Sequence, residues 1–213
     1  MMKHFPILLL LTLSLSPQAF AAGCADKPGQ AIFEDNFADN TGGWASDPEA
    51  TFGGGLKMHF GSQDTYWTYW NKTFNATTGD FCMEAVAPQP AGSGNTAVIG
   101  LAFLLSDADN MYVFQWGSDN TLSLWRDSQK HWSEVADYSK SAGVVQPGSP
   151  IVLEVNVSQN LITSSFNGTE VGKLRAQIPQ ASLQFGIYMQ TDKAVPDPGY
   201  DFEIKDYRVT APP

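Results

Sequence analysis

The residues of this chain best able to do chemistry are aromatic and amide side chains on segments that alternate in polarity. Trp67, Trp70, Trp116, Trp125 and Trp132 could each offer a flat apolar surface. A pyranose ring stacks on such a surface because its C–H face is apolar while its hydroxyls lie at the edge. The competing role for each is core or cross-strand packing, since Trp buries a large area and strands favour aromatics. Gln115, Gln184 and Gln190 could read sugar hydroxyls, Tyr188 could add a ring with a polar tip, and Arg126 could donate a paired hydrogen bond to vicinal oxygens or a carboxylate. Glu84 and Glu154 are the acids most suited to work on a glycosidic bond. That reaction needs two carboxylates, about 5 Å apart for a retaining mechanism and within about 10 Å for an inverting one. Each is a lone acid on its strand, with no Glu-x-Asp-x-Glu run, so an exposed strand carboxylate is its competing role.

Other chemistries find little support. Outside the N-terminal segment only His59 and His131 remain, and there is no His-x-x-x-His, Cys-x-x-Cys or Gly-x-Ser-x-Gly. No glycine loop has a phosphate-binding context. No cofactor is expected. Oxygen-rich turns make calcium the one metal to consider: Asp35, Asp39 and Asn40 near the start could share a cation with Asp206 near the end, if the first and last strands pair. The balance of 12 Lys+Arg against 22 Asp+Glu, net −10, argues against nucleic acid and anionic membrane surfaces, which select basic patches.

The elements that must position these residues are strands. Gly100–Leu105, Met111–Trp116 and Thr121–Arg126 read as a meander joined by the turns Ser106–Asn110 and Gly117–Asn120. One alternation parity of this meander presents Gln115 with Arg126; the other presents Trp116 with Trp125. Leu56, Met58 and Phe60 alternate with Lys57 and His59; Phe81, Met83 and Ala85 with Cys82 and Glu84; Ile151, Leu153, Val155 and Val157 with Val152, Glu154 and Asn156; and Leu183, Phe185, Ile187 and Met189 with Gln184, Gly186, Tyr188 and Gln190. Tyr66–Trp70 puts Tyr66, Thr68 and Trp70 on one face. Asn167-Gly168 between Leu161–Phe166 and Thr169–Leu174 is a tight-hairpin signal, and the last strand is expected to bulge near Asp206. The count is about twelve strands and no helix, which predicts an all-β sandwich or jelly roll of two antiparallel sheets. If neighbouring strands share one curved sheet, Glu84, Glu154 and Gln184 line its concave surface together with the meander.

Residues 1–21 carry Lys3, the apolar run Ile7–Leu15 and Ala19-Phe-Ala21, the pattern of a signal peptide. They leave 22–213 as a single exported domain, periplasmic or extracellular. No later apolar run approaches the ~20 residues that span a bilayer. Cys24 and Cys82 are expected to form one disulfide in an oxidising compartment; the alternative is a lipoprotein tethered through an acylated Cys24.

Phe33-Glu-Asp-Asn-Phe37 followed by Gly43-Trp44, Gly55-Leu56, Asn110-Met-Tyr-Val-Phe114, Phe166-Asn-Gly168, Phe185-Gly-Ile-Tyr188 and Tyr200–Val209 resembles the concanavalin A-like jelly rolls. Within them it is most similar to the 3-keto-disaccharide hydrolase domain family in its secreted bacterial form, over residues 31–210. The resemblance implies a concave face and a carbohydrate ligand or substrate; it supplies no catalytic residue. The expectation is an exported carbohydrate-binding jelly roll. The alternatives are a glycoside hydrolase-like enzyme acting on a (3-keto-)disaccharide or glucan, and a non-catalytic envelope protein whose sheet meets a protein partner.

Overall fold

The computed structural model describes residues 23–61, 66–178, 183–195 and 199–212. The signal segment read over 1–21 lies outside them, as does part of the loop 191–199. The described residues form fourteen strands: β1 (Ala31–Asp35), β2 (Ala50–Phe52), β3 (Leu56–Phe60), β4 (Tyr66–Trp70), β5 (Gly79–Val86), β6 (Ala97–Asp107), β7 (Asn110–Gly117), β8 (Leu122–Ser128), β9 (His131–Asp137), β10 (Pro150–Ser158), β11 (Leu161–Phe166), β12 (Thr169–Arg175), β13 (Gln184–Thr191) and β14 (Tyr200–Thr210). The helical content of the described residues is a 3-10 turn at Cys24–Asp26 and a single α turn at Ser139–Ala142.

The strands form two antiparallel sheets. The eight-stranded sheet runs β12-β11-β10-β5-β14-β3-β2, with β1 also on β14; the six-stranded sheet runs β4-β13-β6-β7-β8-β9. The long strand β14 pairs with β5 along one edge. On its other edge it pairs with β3 through Tyr200–Ile204 and with β1 through Tyr207–Thr210. The bulge expected near Asp206 lies between Ile204 and Asp206 in the β5 register. It shifts the alternation so that Ile204 and Tyr207 both face inward.

Alternation builds the core as the sequence implied. Leu56, Met58 and Phe60 of β3, Phe81, Met83 and Ala85 of β5, and Ile151, Leu153, Val155 and Val157 of β10 face Ile99, Leu101, Phe114, Phe185, Ile187 and Met189 of the other sheet. Two sheets ≈ 10 Å apart need large interdigitating side chains. Trp44 supplies one: it stacks on Tyr69 with ring centroids 5.7 Å apart, and its Nε1 donates to Asp35 Oδ2 at 2.8 Å. Asn167 and Gly168 take φ of 48° and 77°, as a type I′ hairpin turn requires, and join β11 to β12.

Cys24 and Cys82 form a disulfide. It anchors the N-terminal segment 24–30 across the outer face of the eight-stranded sheet, and leaves no thiol at Cys24 for an acyl tether. The bond fits an exported chain. Among the described residues, no helix is long and apolar enough to cross a membrane.

Candidate functional site

The outer face of the six-stranded sheet carries the open, aromatic surface. Cross-strand register sets its membership: Tyr188↔Gly100↔Gln115↔Ser123 is one row, Gly186↔Ala102↔Val113↔Trp125 the next, and Trp125↔Glu134 and Asp127↔Trp132 extend it to the edge strand β9. Small residues pave the centre. Gly100 is required there: a Cβ would fall 2.7 Å from Val113 Cγ1 and 2.9 Å from Gln115 Cβ. Tyr188 of β13 and Trp132 of β9 touch with ring centroids 5.4 Å apart, although their strands are four steps apart. In a flat sheet those backbones would be about 19 Å from each other, so this face curls inward.

The groove has two halves. In one, Trp70, Ala102, Leu105, Met111, Val113 and Tyr188 form a small apolar cluster outside the main core, and Trp132 lies over its tyrosine. Tyr188 is only 4 % exposed, whereas Trp132 is 37 % exposed. Burial raises the Tyr188 hydroxyl above its ordinary range, and that hydroxyl donates to Gln190 Oε1 at 2.8 Å. Asp127 sits in this half, 4 % exposed, with Oδ1 making no hydrogen bond. Desolvation pushes its carboxyl upward and Asp109 adds to the effect, while the backbone N–H groups of Lys130 and Ser128, and His131, oppose it.

The other half is a polar hollow of about 310 Å³, walled by Gln115, Ser123, Trp125, Glu134, Gln190 and Asp192. Trp125 is half-buried, its Nε1 donating to Ser123 Oγ at 2.9 Å, which fixes the indole plane against the sheet. Asp137, also on the wall, accepts from Ser139 Oγ at 2.6 Å and from Ser139 N at 2.9 Å, which hold its carboxyl below the ordinary range. Asp119 and Asp192 add acid, and among the described residues no Lys or Arg lines the hollow. This arrangement can stack a ring, hydrogen-bond several hydroxyls and repel anions.

Of the ligand candidates, Gln115, Trp125, Trp132, Gln184 and Tyr188 share this outer face. Trp116, Arg126 and Trp67 do not. Trp116 is fully buried in the core, and Trp67 packs inward on Phe60. Arg126 lies opposite Tyr112, whose ring turns inward to stack on Phe103, and its guanidinium is over the Tyr112 ring at 5.6 Å. Neither expected parity set survives: Gln115 pairs with Trp125, and Trp116 with Arg126, because a five-residue connection (117–121) separates the directly opposed Trp116 and Leu122. A four-residue turn would have inverted that relation.

Glu84 and Glu154 are not in the groove. They project from β5 and β10 on the outer face of the eight-stranded sheet, where Glu84 opposes Val152 and Glu154 opposes Cys82. Glu154 is paired with Lys27 at 2.8 Å. The calcium candidates have other partners: Asp35 accepts from Phe37 N and Trp44 Nε1, and Asp39 caps Thr41 N. Asp206 lies beside Glu84 and Arg208. Among the described residues no three His, Cys, Asp or Glu side chains are grouped to hold a metal ion. Ser123, Glu134 and Asp137 of the hollow are functional candidates that the structure adds; the His131–Asp137 alternation that carries Trp132 also carries Glu134.

No family model and no curated protein matches the chain. Solved structures are similar to it in fold. The carbohydrate-binding module CBM66 from Bacillus subtilis aligns with TM-score 0.56 and 16 % identity, over 79 % of this chain and 94 % of that one. The Bacillus licheniformis beta-glucanase aligns with TM-score 0.62 and 12 % identity, over 87 % and 100 %. A GlcNAcα1-4Gal-releasing endo-β-galactosidase from Clostridium perfringens aligns with TM-score 0.63 and 12 % identity, over 89 % and 65 %. The chain therefore has the concanavalin A-like jelly-roll fold.

Proposed function

We propose that this is an exported saccharide-binding jelly roll that holds a neutral sugar in the groove of the six-stranded sheet. The observation that carries the reading is the 310 Å³ hollow, which places Trp125 beside Gln115, Gln190 and Glu134 over a floor of small residues. Trp125 serves as the stacking platform; the amides and Glu134 read hydroxyls. The acidic wall, with no Lys or Arg, selects against uronates and phosphorylated sugars. The structural likeness to a carbohydrate-binding module and to glucan-acting enzymes supports the same ligand class. The test is calorimetry and a glycan array of neutral oligosaccharides. Binding that falls at least tenfold in Trp125→Ala, about 1.4 kcal/mol, is the expected result. Absence of saccharide binding by the intact chain refutes the reading.

The enzymatic alternative rests on a different residue from those first considered. Glu84 and Glu154 are on the other sheet, but Asp127 is a desolvated carboxyl within the groove. The resemblance to the 3-keto-disaccharide hydrolase domain family suggests a disaccharide substrate for it. Hydrolysis of such a disaccharide that Asp127→Asn abolishes would favour turnover over binding alone.

A further inference from the structure

A second hollow lies on the opposite side of the sandwich. Two polar rows cross the outer face of the eight-stranded sheet: Thr163↔Asn156↔Asp80↔Thr210, and Ser165↔Glu154↔Cys82↔Arg208. The N-terminal segment passes over them, held by the Cys24–Cys82 disulfide, by Lys27 Nζ on Glu154 at 2.8 Å, and by Arg208 donating to the carbonyls of Ala25 and Gly29 at 3.3 Å. Between the segment and the rows is a cavity of about 270 Å³, close to the lower bound of small-molecule sites.

The chemistry of its lining selects the occupant. Lys27 and Arg208 offset Asp80 and Glu154, so the cavity has no net charge to attract an ion. The charged groups are also engaged: Lys27 with Glu154, Asp80 with Asn156 Nδ2 at 2.5 Å and with Thr210 Oγ1 at 3.4 Å. The hydrogen-bonding groups left for an occupant are one guanidinium N–H of Arg208 and neutral side chains. Thr163 and Ser165 contribute hydroxyls to the lining, and Asn156 an amide. Arg208 Nε is buried without a partner. Pro28 gives the roof an apolar patch suited to C–H groups. Arg208 Nε, taken out of water without a partner, needs an acceptor, and with the hydroxyls of Thr163 and Ser165 in the same charge-balanced lining it matches a polyhydroxylated molecule.

We propose that this covered cavity is a second ligand site, for one neutral polyol of about monosaccharide size, with the disulfide-anchored segment as its roof. It is separate from the groove, which would take a longer chain on an open surface. The test uses the full exported chain carrying Trp125→Ala, which disables the groove, and saturation-transfer NMR with D-glucose, myo-inositol and glycerol at millimolar concentration. Transfer to at least one probe is expected, and Thr163→Leu with Ser165→Leu, which fills the cavity, should reduce it at least tenfold. Cys24→Ser with Cys82→Ser should weaken the same binding by releasing the roof. If the leucine pair lowers the melting temperature, Asn156→Ala replaces it with the same expected loss. No transfer to any probe, or transfer that the cavity-directed substitutions leave unchanged, overturns the proposal. Neither result bears on oligosaccharide binding at Trp125.

Discussion

The outer faces of the two sheets begin alike, since alternation gives each a row of polar side chains over a shared core. They end up different because of what crosses them. The eight-stranded sheet is crossed by its own N-terminal segment, and its polar rows become a covered, charge-balanced cavity. Among the described residues the six-stranded sheet is crossed by the side chain of Trp132; its floor is Gly100 and Ala102, and its hollow is open and acidic. One face is thus closed by main chain and a covalent bond, the other partly closed by a single ring. Only the second leaves an aromatic platform accessible to an extended ligand.

The largest expected effect breaks the first face and spares the second. Cys24→Ser with Cys82→Ser removes a cross-link spanning 58 residues. The chain-entropy relation assigns such a loop about 4 kcal/mol, read as a lower urea midpoint with a steeper slope, because the unfolded chain without the cross-link exposes more surface. Oligosaccharide binding by the folded fraction should persist; its loss would mean that the two faces are coupled.

Next comes the floor of the groove. Gly100→Ala places a methyl group 2.7 Å from Val113 Cγ1 and 2.9 Å from Gln115 Cβ. Overpacking of this kind costs about 1–3 kcal/mol, and it raises the floor between Gln115 and Tyr188. Thermal unfolding and sugar titration should both worsen, whereas polyol binding under the N-terminal segment should not change.

These two substitutions also mark how far the sequence could be read. The faces of individual strands were legible, because period-two alternation is a local property: Tyr66, Thr68 and Trp70 share a face, and Phe81, Met83 and Ala85 are core. Which sheet a strand joins is decided by pairing between distant segments. Glu84 and Glu154 were correctly read as outward, yet belong to the sheet without the groove. The partnership of Gln115 with Trp125 depended on one residue of turn length, which local turn chemistry at Gly117–Thr121 does not specify. Nor could spacing show that Trp132 would reach Tyr188, because that contact exists only once the sheet curls.

Trp132→Ala sharpens the contrast between covalent and side-chain closure. Losing the ring contact with Tyr188 should cost about 0.5–1.5 kcal/mol. The same change uncovers Tyr188, Asp127 and the apolar cluster. Longer oligosaccharides should then reach further along the groove, detectable as a rise in affinity with chain length that the parent protein lacks. If affinity falls for all lengths, Trp132 is itself a stacking platform.

The smallest effect lies on the covered face and depends on pH. Asp206 is half-buried on β14; desolvation, then Glu34 and Glu84, raise its pKa to about 6, against an opposing pull from Arg208. Its Oδ1 makes no hydrogen bond. In the unfolded chain the group ionises near its ordinary value of 3.8. Between those two values the folded chain keeps a proton that the unfolded chain has released. Asp206 therefore makes stability fall as pH rises from about 4 to about 6, with the loss persisting above that window. With the side chain half exposed, solvent screening reduces the change to about 1 kcal/mol. Asp206→Asn should accordingly stabilise the protein at pH 7 by about that amount and leave it unchanged well below the unfolded value of 3.8, at about pH 2.5, as read by denaturant midpoints at the two pH values. Glu84→Gln should recover part of the same gain, because it removes one of the charges that disfavour ionised Asp206. A substitution that stabilises equally at both pH values would place the cost in packing or solvation of the side chain and not in its charge.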